Sequence, residues 1–174
     1  MKKIETKIEG AYLYKVDYRD DERGYFFEGA QIESGFVQSN HSASRPRVLR
    51  GMHYQAGDSA QGKLCWVSFG EVFDVFVDLR VNSPTYGKWD GYQLDNWYKD
   101  RLWIPKGCAH GFLVTTPNIP AEFNYLVDNK YDPKSERTLL WNDKDLDIKW
   151  PITNGLIISE KDQKGLSFAE CEKF

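Results

Sequence analysis

The sequence has few cysteines and no long apolar run. Its three cysteines are an odd number without a C-x-x-C pair, which argues against a disulfide framework and against a thiolate zinc site. No stretch approaches the roughly 18 apolar residues that a transmembrane helix needs, so we expect no membrane partner. Residues 1–16 are interrupted by charges and contain no apolar segment, so we expect no signal peptide. Together these features predict a cytoplasmic protein.

An excess of charge of either sign is also missing. The chain has 23 basic and 26 acidic residues, a net charge of −3. A nucleic-acid-binding domain usually carries a basic face, so we expect no nucleic-acid partner. The 174 residues predict a single domain spanning 1–174. Aromatic residues, in contrast, are abundant at 15%.

Long amphipathic helical patterns are absent, and short alternating segments are present instead. Residues 72–79 and 121–128 alternate with period two, which predicts strands. Residues 63–69 predict another strand, expected to form a hairpin with 72–79 through the intervening Gly-Glu pair. Further short apolar runs occur at 11–16, 25–27, 48–54, 102–104, 111–114 and 138–141. Many short strands between Gly and Pro turns predict an all-β sandwich or barrel, with a helical turn after Ser159.

Histidine is scarce, so each one is informative. The three histidines are His41, His53 and His110. The segment 105–110 ends at His110 with P-x-G-x-x-H spacing, which resembles the second motif of the cupin jelly roll. Metal-binding cupins have H-x-H and a carboxylate in the first motif, whereas this chain has Gln55 in place of the second histidine. Two histidines without a nearby carboxylate make a weak metal site, so we expect no metal.

Two further polar side chains are predicted to point into the barrel. Lys63 alternates with Cys65, Val67 and Phe69, which are expected to be buried, and Tyr125 lies on the apolar face of 121–128. Polar groups inside a barrel are costly unless they are hydrogen-bonded or used. The alternative places Lys63 at an edge, where its amine reaches water. A histidine base, a lysine cation at an enolate oxygen and a tyrosine acid on the opposite face suit a cofactor-free epimerase.

Ordered blocks along nearly the whole chain resemble the dTDP-4-dehydrorhamnose 3,5-epimerase family. The blocks include DERGYFFE from Asp21, FVQSNHSAS from Phe36, VLRGMHYQ from Val48, GEVFDVFVDLR from Gly70, IPKGCAHGFLV from Ile104, YDPKSE from Tyr131 and ISEKD from Ile158. The resemblance implies a cupin-type jelly roll that inverts C3 and C5 of a dTDP-linked 4-keto-6-deoxyhexose through an enolate, with no cofactor. It also implies a homodimer, in which the strand at residues 25–28 helps build the neighbour's nucleotide site.

The resemblance implies a role for each candidate site residue. His53 would be the general base, Asp162 its carboxylate partner, Lys63 the enolate stabiliser and Tyr125 the general acid. Tyr131 would stack on the thymine base. The remaining implied substrate contacts are Arg23, Phe26, Glu28, Gln38, Asn40, Arg50, His110, Glu136 and Lys161. The two arginines suit a diphosphate because the guanidinium fork matches phosphate oxygens. His41 matches no role, and Asp162 also completes a capping box with Ser159.

The chain departs from the family pattern at three places. Residues 29–35 are shorter than the family pattern, residues 115–120 are slightly longer, and Cys108 replaces a phenylalanine. These departures leave open which nucleotide is bound and how many carbons are inverted. The alternatives are a single-site epimerase on a related nucleotide sugar, a non-catalytic sugar-binding jelly roll and a metal-dependent cupin oxygenase.

Overall fold

Two antiparallel sheets face each other in the computed structural model, which describes residues 1–29 and 35–174. The first sheet has the strand order β1 (Lys2–Glu5), β2 (Tyr12–Lys15), β10 (Arg101–Ile104), β7 (Lys63–Phe69), β12 (Ala121–Val127) and β5 (Gln38–Ser44). The second has the order β13 (Glu136–Thr138), β6 (Val48–Gln55), β11 (Cys108–Val114), β8 (Glu71–Asp78) and β9 (Trp89–Asp95), with β14 (Ile157–Ile158) parallel to β6. The predicted all-β jelly-roll architecture is confirmed.

A two-stranded antiparallel ribbon forms a sheet of its own, apart from the two larger sheets. It consists of β3 (Arg19–Asp21) and β4 (Gly24–Phe26), and every residue of both strands is exposed. The shortened stretch 29–35 noted in the sequence lies mostly outside the described residues. The helices within the described ranges are a 3₁₀ turn at Gly57–Ser59 and α1 (Glu160–Gln163). Neither they nor any other helix in those ranges is long and apolar enough to span a bilayer.

The expected hairpin between β7 and β8 is wrong. The strand β7 pairs with β10 and β12, whereas β8 pairs with β11 and β9, so the two strands belong to different sheets. Gly70, with φ +76°, makes the connection, and a Cβ there would lie 2.5 Å from the carbonyl oxygen of Pro120. The expected burial of Phe69 is also wrong, since this side chain is 44% exposed. It lies at the end of β7, beyond a register shift against β12.

Two apolar clusters explain why β8 is buried on both faces. The inner cluster lies between the sheets and includes Phe76 from β8 and Phe123 from β12. The outer cluster lies between the second sheet and the C-terminal segment, and includes Val75 from β8 and Trp150. Residues alternating along β8 therefore enter different cores, because successive side chains of a strand point to opposite faces. Full burial of an aromatic side chain is worth roughly 1.5–3 kcal/mol.

Candidate active site

The predicted base and its carboxylate partner are brought together at one end of the inner cluster. His53 lies on β6, and its Nε2 is 2.7 Å from Oδ1 of Asp162. Asp162 lies in α1, where its backbone N–H donates to Oγ of Ser159. The side chain of Ser159 caps α1 as predicted, and this fixes the turn that carries the carboxylate.

The carboxylate of Asp162 is held by the backbone as well as by the imidazole. Its Oδ2 accepts the N–H of Gly51 at 3.0 Å. Burial alone would raise the pKa of Asp162, but the hydrogen bonds from His53 and Gly51 outweigh it and keep the pKa below the usual value. Asp162 is therefore an ionised acceptor, so a neutral His53 directs Nε2–H at it and keeps the lone pair on its other ring nitrogen.

Close contact between two strands allows this backbone geometry. Gly51 on β6 has φ +121°, and a Cβ there would lie 2.6 Å from Cα of Gly111 on β11. The register between β6 and β11 shifts at this point, between His110 and Phe112. Glycine is needed at Gly51 because L side chains rarely adopt such a φ, and at both positions because no room exists for a Cβ. At this irregularity the N–H of Gly51 donates to Asp162 rather than to a neighbouring strand.

Lys63 and Tyr125 face His53 from the opposite sheet. Lys63 is 7% exposed on β7, and its Nζ donates to the carbonyl oxygen of His53 at 3.3 Å. Tyr125 lies on β12 and packs against the inner cluster next to Phe123, with 6.0 Å between ring centroids. The predicted inward orientation of both side chains is confirmed. Burial lowers the pKa of Lys63 and raises that of Tyr125, so the phenol stays protonated at neutral pH.

These groups line a cavity of about 290 Å³ between the sheets. The site residues predicted from the sequence that line it are Asn40, Arg50, His53, Lys63, His110, Tyr125, Tyr131 and Glu136. His41, which received no role, also lines it and lies 2.6 Å from the Asn124 side chain. A cavity of this size accommodates one sugar ring with its substituents.

A hydrogen-bonded network forms the rim of this cavity. The hydroxyl of Tyr131 donates to Oε2 of Glu136 at 3.0 Å, and Lys161 pairs with the same oxygen at 2.5 Å. The amide of Gln38 donates to the side chain of Asn40 at 2.7 Å and accepts the N–H of Tyr131 at 3.2 Å. Tyr131 is 53% exposed, so one face of the ring is free to contact a ligand.

Three of the predicted substrate contacts lie elsewhere. Arg23 is at the tip of the β3–β4 ribbon, where its guanidinium pairs with Asp21 at 2.6 Å. Phe26 is 70% exposed. Phe26 and Glu28 line a second cavity of about 720 Å³, whose wall includes Arg101 and Trp103. Within one chain, the structure therefore does not bring Arg23, Phe26 and Glu28 to the cavity of His53.

Asp74 is a site residue that the sequence reasoning missed. Both of its carboxylate oxygens lie 3.0 Å from Nε2 of His110, and Asp74 is fully buried. The available signal was its position on the face of β8 that also carries Phe76, since an aspartate on an inward face needs a partner. Each of the two cavity histidines thus has a carboxylate partner, Asp162 as implied for His53 and Asp74 as the unassigned partner of His110.

The donor set in the cavity does not fit a cupin metal site. Gln55, in the position of the second histidine ligand, instead accepts the N–H of Asp132 at 2.7 Å and anchors the turn beside Tyr131. Among the described residues, one group of potential ligands, Cys65, Asp74 and His110, lies within 4.8 Å. Burial raises the pKa of the Cys65 thiol well above its usual value, so it is a poor ligand at neutral pH.

A jelly roll with a histidine–carboxylate pair opposite a lysine and a tyrosine defines an acid–base enzyme of the cupin fold. The family model for dTDP-4-dehydrorhamnose 3,5-epimerase matches residues 5–170, and the chain belongs to this family. The predicted family and enzyme class, an isomerase, are therefore confirmed.

Individual relatives agree with this assignment. The chain is 44% identical over 185 residues to a dTDP-4-dehydrorhamnose 3,5-epimerase of Shigella flexneri, covering 100% of this chain and 99% of that protein. The crystal structure of the same enzyme from Elizabethkingia anophelis NUHP1 superposes with a TM-score of 0.92 at 41% identity, covering 97% of both chains. A dTDP-6-deoxy-D-glucose-3,5-epimerase from Legionella pneumophila, in complex with dTDP-4-keto-L-rhamnose, has a TM-score of 0.92 at 39% identity, covering 98% of this chain and 94% of that one.

Proposed function

We propose that this protein inverts C3 and C5 of a dTDP-linked 4-keto-6-deoxyhexose, converting dTDP-4-dehydro-6-deoxyglucose to dTDP-4-dehydrorhamnose. The observation that carries the proposal is the placement of His53 with Asp162 on one wall of the cavity and Lys63 with Tyr125 on the other. Membership of the family and the sugar nucleotide bound to the Legionella relative support the substrate class.

The proposed chemistry needs only these side chains. His53 removes the proton from the carbon next to the ketone; the electron pair of that C–H bond forms the C=C bond of the enolate, and the π pair of the C=O bond moves to the oxygen. Asp162 stabilises the imidazolium, and the ammonium of Lys63 stabilises the enolate oxygen. Tyr125 then protonates the same carbon from the opposite face, and the carbonyl re-forms with inverted configuration. Proton exchange with water restores His53 and Tyr125 before the second carbon reacts.

Exchange in heavy water tests the reaction directly. Incubation with dTDP-4-keto-6-deoxyglucose should place deuterium at both C3 and C5, and His53→Ala should abolish this exchange. Deuterium at one carbon would support the single-site epimerase instead. No exchange with any 4-keto nucleotide sugar would support a non-catalytic binding protein. A stoichiometric metal whose removal abolishes activity would support the cupin oxygenase and contradict the proposal.

We propose further that the protein is a homodimer in which the β3–β4 ribbon completes the neighbour's site. Three observations support this: the ribbon is exposed, Tyr25 and Phe26 on it are 58% and 70% exposed, and Arg23 lies apart from the cavity of its own chain. Exposed aromatic side chains on a projecting element are typical of protein interfaces. Arg23 would then supply the diphosphate of the neighbouring site with a bidentate partner.

Complementation between two inactive variants tests the shared site. The variants Arg23→Ala and His53→Ala should each be impaired alone. In a mixed dimer, the chain that retains His53 receives Arg23 from its partner, which gives one intact site. Random exchange of subunits should therefore restore roughly a quarter of the wild-type activity. No recovery despite proven subunit exchange would place Arg23 in the site of its own chain.

The protein is further proposed to be cytoplasmic. All three of its cysteines are free and buried, which suits a reducing compartment.

A further inference from the structure

A second histidine–carboxylate pair lies deeper in the barrel than the first. Asp74 on β8 is fully buried, and His110 on β11 is 6% exposed. The His110 ring also stacks on Phe123, with 5.8 Å between centroids and an interplanar angle of 27°. Asp74 and Phe123 therefore hold the ring from two sides, and His110 lines the cavity.

The contact with Asp74 decides what His110 can offer a ligand. Burial raises the pKa of Asp74, and the contacts with His110 and the charge of Lys63 oppose this shift and favour the carboxylate. A carboxylate only accepts hydrogen bonds, so Nε2 of His110 then carries the proton that it shares with Asp74. Burial lowers the pKa of His110, which favours the neutral ring. In the neutral ring Nδ1 keeps its lone pair and can accept a hydrogen bond.

The same carboxylate is the buried negative charge near Lys63. Burial lowers the pKa of Lys63, and the negative charge of Asp74 opposes this shift. The other titratable groups that act on Lys63 are Cys65, Cys108, Glu136 and His110. Of these, burial keeps the two thiols protonated by raising their pKa values. Asp74 and the rim residue Glu136 are therefore the carboxyl groups that favour the ammonium form of Lys63, and Asp74 contacts His110, which lines the same cavity as Lys63.

We propose that Asp74 is a positioning residue for the epimerisation, acting through His110 and Lys63. It fixes His110 so that Nδ1 accepts from a sugar hydroxyl, and it provides the charge that maintains Lys63 as the cation beside the keto oxygen. The inference rests on the proposed function. It distinguishes the two histidine–carboxylate pairs: the pair at His53 moves a proton, and the pair at His110 orients the substrate and balances charge.

The substitution Asp74→Asn removes the charge with little change of shape, and Asp78→Asn is its matched control. Asp78 is fully buried on the same strand, but its carboxylate contacts Arg80, Ser83 and Thr85 outside the cavity. We expect Asp74→Asn to lower kcat by about 10- to 100-fold, by analogy with the range found for carboxylates that orient metal-binding histidines. Its activity should also be lost at a lower pH than in the wild type, because Lys63 without its counter-charge releases its proton earlier.

The control separates positioning from mere structural support. Asp78→Asn should lower the midpoint of urea unfolding, but the pH profile of kcat should stay that of the wild type. If Asp74→Asn lowers activity only in proportion to its folded fraction, with an unchanged pH profile, Asp74 has no positioning role. A wild-type protein that exchanges no deuterium would instead refute the proposed function.

A spectroscopic measurement tests the inference independently of activity. The chain has three histidines, so the ¹⁵N signals of His110 can be assigned by substitution. The wild type should show a neutral His110 with the proton on Nε2 at pH 7. Asp74→Leu removes the acceptor, and its His110 signals should move toward a mixture of tautomers. A wild-type His110 that is cationic, or that carries its proton on Nδ1, would overturn the inference.

Discussion

The contact between His53 and Asp162 gives the sharpest quantitative prediction. The substitution Asp162→Asn retains the size of the side chain and a carbonyl oxygen within reach of the N–H of Gly51, but it removes the negative charge 2.7 Å from His53. A hydrogen bond to a charged group contributes about 1.5–3 kcal/mol, and this contribution matters most when the imidazolium forms. At 1.4 kcal/mol per factor of ten, kcat should fall by about 10- to 150-fold.

The assay is the initial rate of deuterium incorporation at C5, measured with saturating substrate. The matched control is Asp143→Asn, because Asp143 is also buried but accepts the backbone N–H groups of Leu146 and Phe168, outside the cavity. Asp143→Asn should lose stability and keep the wild-type kcat. If Asp162→Asn raises KM and leaves kcat unchanged, the carboxylate does not act by stabilising the imidazolium.

Three further predictions address the acid, the backbone and the acid limit of stability. Tyr125→Phe should keep some deuterium exchange but lose inversion, checked by NMR of the product; full epimerisation would remove Tyr125 from the mechanism. Gly51→Ala should lower both the unfolding midpoint and kcat, since its Cβ would lie 2.6 Å from Cα of Gly111, while Gly57→Ala, with open space around its Cβ, should keep kcat. The pKa of Asp162 in the folded protein lies below its ordinary value of 3.8. The ionised carboxylate therefore stabilises the fold above pH 3.8, and this contribution is lost as the pH falls through the pKa of the folded state. Urea midpoints should drop more steeply below pH 3.8 in the wild type than in Asp162→Asn.

Much of the fold could be predicted because alternation is a local property of the sequence. The strand β7 was predicted with its observed bounds, and β8 and β12 nearly so. The hairpin between β7 and β8 was wrong because a tight turn around Gly70 looks the same in sequence whether the next strand pairs or crosses to the other sheet. Pairing partners depend on contacts that are distant in sequence, which a local pattern does not contain.

The site residues show the same contrast between features set by local alternation and contacts between residues distant in sequence. The inward orientation of Lys63 and Tyr125 followed from the alternation of their own strands. The pairing of Asp74 with His110 did not, because it joins residues 36 positions apart on neighbouring strands. The meeting of His53 with Asp162, which are 109 positions apart, was implied by the family resemblance and not by any local pattern.

The two proposed proton-transfer groups are carried by different sheets, His53 by β6 and Tyr125 by β12. Sheets that pack face to face are held about 10 Å apart by the side chains between them. The gap that a sugar carbon must occupy is therefore set by the thickness of the inner cluster, and residues such as Phe76 act as spacers. Enlarging or shrinking a spacer should change the distance between base and acid without touching either, so the catalytic rate of this protein can evolve through its core.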